Sequence, residues 1–143
     1  MYKTILVTID LTHKPSWELA LPEAEALAKS GGGVLHVLTV VPVVRSPLVA
    51  GYLPEGFETH ALEDARSQLN AIVAENIDKS IDTHVHLAHG VVHTEILKAI
   101  ETHQADLVVM ASHSPDRVRE FLVGSQADRV VRRSPVSVLV VRK

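Results

Sequence analysis

Five short runs rich in β-branched residues recur along this chain, separated by stretches with helical spacing. The first, Ile5-Leu6-Val7-Thr8-Ile9, is apolar on both faces, as a strand buried between two layers of helices must be. Similar runs follow at 34–40, 83–88, 107–110 and 136–141, and helical patterns occupy about 16–30, 61–77, 94–103 and 125–133. Strand–helix alternation over the whole length predicts an α/β fold, a parallel doubly wound sheet with helices on both faces. At 143 residues the chain forms one domain, 1–143, long enough to bury about two-thirds of its surface. No internal boundary, repeat or low-complexity tract interrupts it.

Local signals refine this outline. Ser16 is the expected N-cap of the first helix, with Trp17, Leu21, Ala24 and Ala28 at helical spacing. Pro22 predicts a kink or a second helix start, and Gly31-Gly32-Gly33 ends the helix. Residues 42–59 read as a long ordered loop. Together with 111–124 they are candidate functional segments, because structureless stretches of that length are unusual in a compact domain.

Composition narrows the function. Aromatic residues make up 3% of the chain, so the core is aliphatic and base-stacking platforms for single-stranded nucleic acid are missing. A net charge of −3 gives no global field for nucleic acid or an anionic membrane, so neither is an expected partner. There is no cysteine, which excludes disulfides, thiolate catalysis and cysteine-based zinc sites. No signal-peptide layout and no apolar stretch of about 18–20 residues is present, so a reducing cytoplasm is the expected location. Residues 114–143 hold seven Lys/Arg against three acids. That surplus reads either as a solvated helix face or as the place where a small anion sits.

In an open α/β sheet, ligands bind past the carboxyl ends of the strands, where strand order reverses. Asp10 closes the first strand, and two roles fit it. It is an Asx-type turn residue, or a carboxylate accepting from a ligand hydroxyl or ring amine. Around Phe121-Leu122-Val123-Gly124-Ser125-Gln126-Ala127, Gly124 permits close backbone approach and Ser125 opens a helix whose free N–H groups favour an anion. Ser112 and Ser114, just past the fourth strand, complete a candidate phosphate cradle. The glycine patterns G-x-G-x-x-G and G-x-x-x-x-G-K-[ST] are missing, as is a G-x-S-x-G elbow.

Nine histidines raise the question of a metal. His84 and His86 project to one strand face, while His89 and His93 fall beyond the strand end. With no cysteine and no carboxylate nearby to complete a set, they read as the polar face of an edge strand, and no metal is expected. His113 reads as a packing residue.

Taken together, Ile5-Leu6-Val7-Thr8-Ile9-Asp10, Ala105-Asp106-Leu107-Val108-Val109-Met110-Ala111-Ser112-His113, Leu122-Val123-Gly124-Ser125 and Ser134-Pro135-Val136-Ser137-Val138-Leu139-Val140-Val141-Arg142 resemble the universal stress protein (UspA) family from end to end. That resemblance implies a five-stranded sheet in the order 3-2-1-4-5, with strands one and four adjacent at the switch point. ATP-binding members carry G-x2-G-x9-G-[ST] after strand four. This chain keeps the spacing as Ala111, Ser114 and Gly124-Ser125. Its Ser112-His113-Ser114-Pro115-Asp116 is similar to the Ser-His-x-Pro-Asp of the UspF-like branch, which is linked to adenine nucleotides. Side chains at 111 and 114 narrow the phosphate approach, and Pro115 removes a donor.

Carried over, the resemblance implies that Asp10 meets adenine or ribose while Thr8, Ile9 and Val40 line the base. Met110, Ala111, Ser112 and Ser114 flank sugar and phosphates, and Gly124, Ser125, Gln126 and Ala127 supply phosphate donors. Arg117 and Arg119 read as surface arginines of the intervening loop. The implied ligand is ATP or another adenine nucleotide, with or without Mg²⁺. The resemblance also implies a homodimer paired through the fifth strand, at Val136, Val138, Val140 and Val141. The expected activity is that of a stress-response sensor or regulator, not an enzyme. The alternative is a nucleotide-independent dimeric interaction module of the same fold. A slow ATPase is a third reading and leans on Asp116.

Overall fold

The computed structural model describes residues 1–42, 51, 55–112 and 125–142. The apolar and β-branched runs become five strands, with the three central ones covered on both faces. In chain order these are β1 (Thr4–Ile9), β2 (Val34–Val41), β3 (Thr83–His89), β4 (Leu107–Ala111) and β5 (Ser137–Val141). Between them run α1 (Lys14–Gly31), α2 (Phe57–Asn76), α3 (Val92–His103) and α4 (Ser125–Arg133). All strand pairings are parallel and the order is β3-β2-β1-β4-β5. The α/β architecture and strand order therefore agree with the sequence reading.

β1 is the centre of the molecule. Ile5, Leu6 and Val7 are fully buried, with odd residues facing one core and Leu6 the other. On one face Ile5, Val7, Leu35, Val37 and Val109 pack against Leu21 and Ala24 of α1 and Leu69 of α2. On the opposite face Leu6, Leu38 and Val108 pack against Ile96 and Ile100 of α3 and Val130 of α4. Both cores are aliphatic, as the scarcity of aromatic residues requires.

A carboxylate and a tight glycine turn fix where β1 starts. Asp106 Oδ2 accepts from the Lys3 backbone N at 2.9 Å and Oδ1 from that of Thr4 at 3.1 Å, which anchors β1 beside β4. On the other side α1 ends at Gly32, whose φ of 62° is left-handed, and the Gly33 N–H reaches back to the Ala28 carbonyl at 2.9 Å. A side chain on Gly33 would put its Cβ 2.9 Å from the Lys3 carbonyl oxygen.

Several expected boundaries shift. His13, not Ser16, stands at the N-cap of α1, and Pro15 lies in the first turn. Ser16 is instead buried, with its hydroxyl bridging the Asp10 backbone N (2.8 Å) and O (3.0 Å). Pro22 does not restart the helix, because both it and Glu18, whose carbonyl its nitrogen cannot engage, face solvent. Helix α2 begins at Phe57, four residues before the expected 61, after Gly56 turns at a φ of 80°. The reading of 42–59 as one irregular loop thus fails at its end.

The close approach at Gly33 has a measurable consequence. Gly33→Ala is expected to cost about 1–3 kcal/mol, the range for forcing extra atoms into a packed site. At about 2–4 °C per kcal/mol for a domain of this size, the melting temperature falls by roughly 2–12 °C. Gly32→Ala meets no atom within 4 Å and should cost only the left-handed backbone penalty, about 1 kcal/mol. Thermal melts that rank the two in the opposite order would refute the steric account.

Candidate functional site

The segment after β1 crosses to β2 on one side and the segment after β4 to β5 on the other. A crevice therefore opens at the carboxyl ends of these strands, as strand-order reversal demands. A cavity of about 460 Å³ occupies it, within the range of small-molecule sites. Its floor is Thr8 and Ile9 of β1, Leu38 to Val41 of β2, and Met110 and Ala111 of β4. One wall is α2, through Ala61, Asp64, Ala65 and Gln68. The other combines Val92 and Ile96 of α3 with Ser125, Gln126 and Ala127 at the start of α4.

Asp10 guards the rim. Its Oδ1 accepts from the Thr12 backbone N at 2.9 Å and from the Thr12 hydroxyl at 2.6 Å, which is an Asx turn. Among the described residues its Oδ2 accepts no hydrogen bond. The two roles open from the sequence are thus compatible, since one oxygen suffices for the turn and Asp10 lines the cavity. Beneath it, the Thr39 hydroxyl donates to the Ile9 carbonyl at 2.9 Å and is consumed in holding β2 to β1.

Gln126 does something the sequence did not suggest. Its side-chain Oε1 accepts from the His93 backbone N at 3.0 Å and lies 3.3 Å from His93 Nδ1. Val91, at the N-cap of α3, offers no side-chain oxygen, so a glutamine from α4 satisfies one of the free amides of that helix end. The two helices that wall the cavity are tied together at its edge.

Of the residues expected to meet a ligand, Thr8, Ile9, Asp10, Val40, Met110, Ala111, Ser125, Gln126 and Ala127 line this one cavity. Ser112 does not line it, and its backbone N donates to the Val141 carbonyl at 2.8 Å, extending the β4–β5 ladder. Ser114 and Gly124 lie outside the described residues, as do His113, Pro115, Asp116, Arg117 and Arg119. The α2 wall was missed. Ala61, Asp64, Ala65 and Gln68 stand at i, i+3, i+4 and i+7, one helix face, and that spacing was the available signal.

The electrostatics are also not as the charge count suggested. The described lining contains two acids, Asp10 and Asp64, and no lysine, arginine or histidine. Arg129, Arg132 and Arg133 are exposed, and Arg132 Nε pairs with Asp128 at 3.1 Å. The basic surplus of α4 is therefore a solvated face, and the feature of the described lining suited to an anion is the α4 N-terminus at Ser125.

Val136, just before β5, and Val138 on it pack against the α3–α4 core, and Val141 against the opposite one. The outward-facing large residue of this edge strand is Leu139, 36% exposed. Replacing Val138 with Asp would therefore test folding as much as pairing.

The histidines gather differently from the expected set. His84 and His86 share a face, but their companions are His36 of β2 and His103 of α3, while His89 ends β3 and His93 serves Gln126. A carboxylate does stand close, because Asp82 Oδ1 is 3.0 Å from His84 Nε2. Burial and the neighbouring imidazoles push His36 down to about 4, and burial lowers His86 too.

Comparison with known proteins agrees with the geometry. The family model "Universal stress protein family" matches residues 1–142. Universal stress protein G of Salmonella typhimurium is 36% identical, covering 99% of this chain and 100% of that one. The solved structure of MJ0577 of Methanocaldococcus jannaschii superposes with a TM-score of 0.75 at 25% identity, over 100% of this chain and 97% of that one. A universal stress protein of Archaeoglobus fulgidus, solved in complex with dAMP, superposes with a TM-score of 0.64 at 19% identity, over 98% of each chain. This chain belongs to the universal stress protein family.

Proposed function

We propose that this protein binds an adenine nucleotide in the cavity at the carboxyl ends of β1 and β4 and acts as a sensor or regulator in a stress response. The carrying observation is the convergence of a carboxylate, an apolar floor and a helix N-terminus on one cavity of about 460 Å³. Asp10 Oδ2 accepts from the ribose hydroxyls or the adenine amine. The base lies against Ile9, Val40 and Met110, apolar surfaces in a lining that holds no aromatic ring among the described residues. Phosphates sit at the start of α4, where the N–H groups of Ser125, Gln126 and Ala127 point outward. Any Mg²⁺ arrives on the phosphates. The nucleotide in the A. fulgidus relative supports this choice of ligand. A chain with no cysteine suits a reducing cytoplasm.

Binding, not turnover, is the proposed activity. A second reading, a nucleotide-independent dimeric module, draws on the two acids and the missing cationic side chain in the described lining, which disfavour a polyphosphate. Dimerisation belongs to both readings. The β5 edge is free among the described strands, and Val136, Val138, Val140 and Val141 form the strand that a second copy's β5 pairs with.

Denaturing the purified protein should release AMP, ADP or ATP, and calorimetry should detect binding of at least one of them. Asp10→Asn keeps the Asx-turn acceptor but turns the second oxygen into a donor. It should weaken binding at least tenfold, about 1.4 kcal/mol. No released nucleotide and no heat of binding would leave the interaction-module reading.

For the dimer, Leu139→Lys places a charge on the exposed edge without entering either core. Sedimentation should show monomers with an unchanged circular dichroism spectrum. A persistent dimer removes β5 as the interface.

A further inference from the structure

Parallel pairing of β2 and β3 sets His36 opposite His84 and Leu38 opposite His86. Three imidazoles therefore crowd one face of two adjacent strands; none of them lines the candidate nucleotide cavity, although Leu38, opposite His86, does. Helix α3 runs back over that face and ends there at His103. His36 Nδ1 and His86 Nε2 stand 2.8 Å apart, and the ring centroids of His86 and His103 are 4.0 Å apart. One ring nitrogen from each of His36, His86 and His103 falls within 4.8 Å of the others.

We propose that His36, His86 and His103 form a binding site for a divalent transition-metal ion of the zinc class, separate from the nucleotide site. Bonds of about 2.0–2.1 Å to a tetrahedral ion put ligand nitrogens roughly 3.4 Å apart. The close pair must open slightly and the wider ones close in, which small rotations of half-buried rings accomplish. Imidazole selects zinc, copper, nickel or cobalt over magnesium and calcium, which prefer oxygen. An ion carried by nucleotide phosphates does not compete for this cluster.

Protonation does not stand in the way. Metal ligation takes the neutral imidazole, and crowding three half-buried rings within 4.8 Å of one another disfavours charging them together. His84 stacks on His36 at 5.2 Å and is bound to Asp82. It therefore backs the cluster and does not complete it. A polar cavity of about 300 Å³, lined by His86, His103, Lys98, Thr102 and Arg66 among others, adjoins the site. It gives an ion an entry path and leaves the fourth position to solvent.

The test uses full-length protein free of any histidine tag and stripped with chelator. Equilibrium dialysis should give one Zn²⁺ per chain, and Co²⁺ should produce the strong visible absorption of tetrahedral coordination. His103→Gln, at a helix end, and His86→Gln should each weaken Zn²⁺ binding at least tenfold with the circular dichroism spectrum retained. His60→Gln, on the exposed surface of α2, should leave affinity unchanged. Failure to bind Zn²⁺, or full affinity in His103→Gln, overturns the proposal. So does an equal loss in His60→Gln.

Discussion

β1 is hydrogen-bonded on both edges and covered on both faces, so nothing in the fold can be placed until it is. Its register is fixed where the chain enters it. The Asp106 carboxylate holds the Lys3 and Thr4 amides on the β4 side. The Val34 amide donates to the Lys3 carbonyl on the β2 side at 2.8 Å. Because parallel strands slipped by one residue exchange their faces, these contacts decide which residues face each core. They also decide that Thr8, Ile9 and Asp10 emerge at the same height as Met110 and Ala111. The cavity is the far end of that register.

Its chemistry follows from what ends there. A parallel sheet delivers carbonyl-rich strand ends and amide-rich helix starts to the same edge, so a crevice between them can meet donors and acceptors at once. In this chain the donors come from α4, tied by Gln126 to the first turn of α3. The acceptors are two carboxylates, Asp10 on the β1–α1 turn and Asp64 on α2. The basic residues that dominate the C-terminal charge count take no part among the described lining. Charge counted along a sequence does not say which way a helix turns it.

Strand existence was legible because short apolar runs alternate with helical spacing, strand order came from the family resemblance, and Asp10 was legible because it ends the first run. Helix starts were less so. Ser16 has the side chain of a capping residue, yet its hydroxyl bonds to the Asp10 backbone, a partner that the turn geometry alone supplies. The start of α2 was hidden by Gly56, whose left-handed φ turns an apparent breaker into an entry point. Least legible was the histidine stack. His36 and His86 are 50 positions apart, and His103 reaches them only because α3 folds back over the sheet. Spacing along one strand revealed His84 and His86 and could not reveal their partners.

Helix α3 is a rod of 12 residues, about 18 Å long. Its first turn is held by Gln126 at the rim of the cavity and its last residue lies in the imidazole stack. A rod transmits displacement with little loss, so an axial shift or tilt of α3 alters both ends together. Thermodynamic reciprocity then applies. If occupancy at one end changes affinity at the other by some factor, the reverse effect has the same factor. The geometry thus sets both features along one stiff member, with the sheet as its fixed bed.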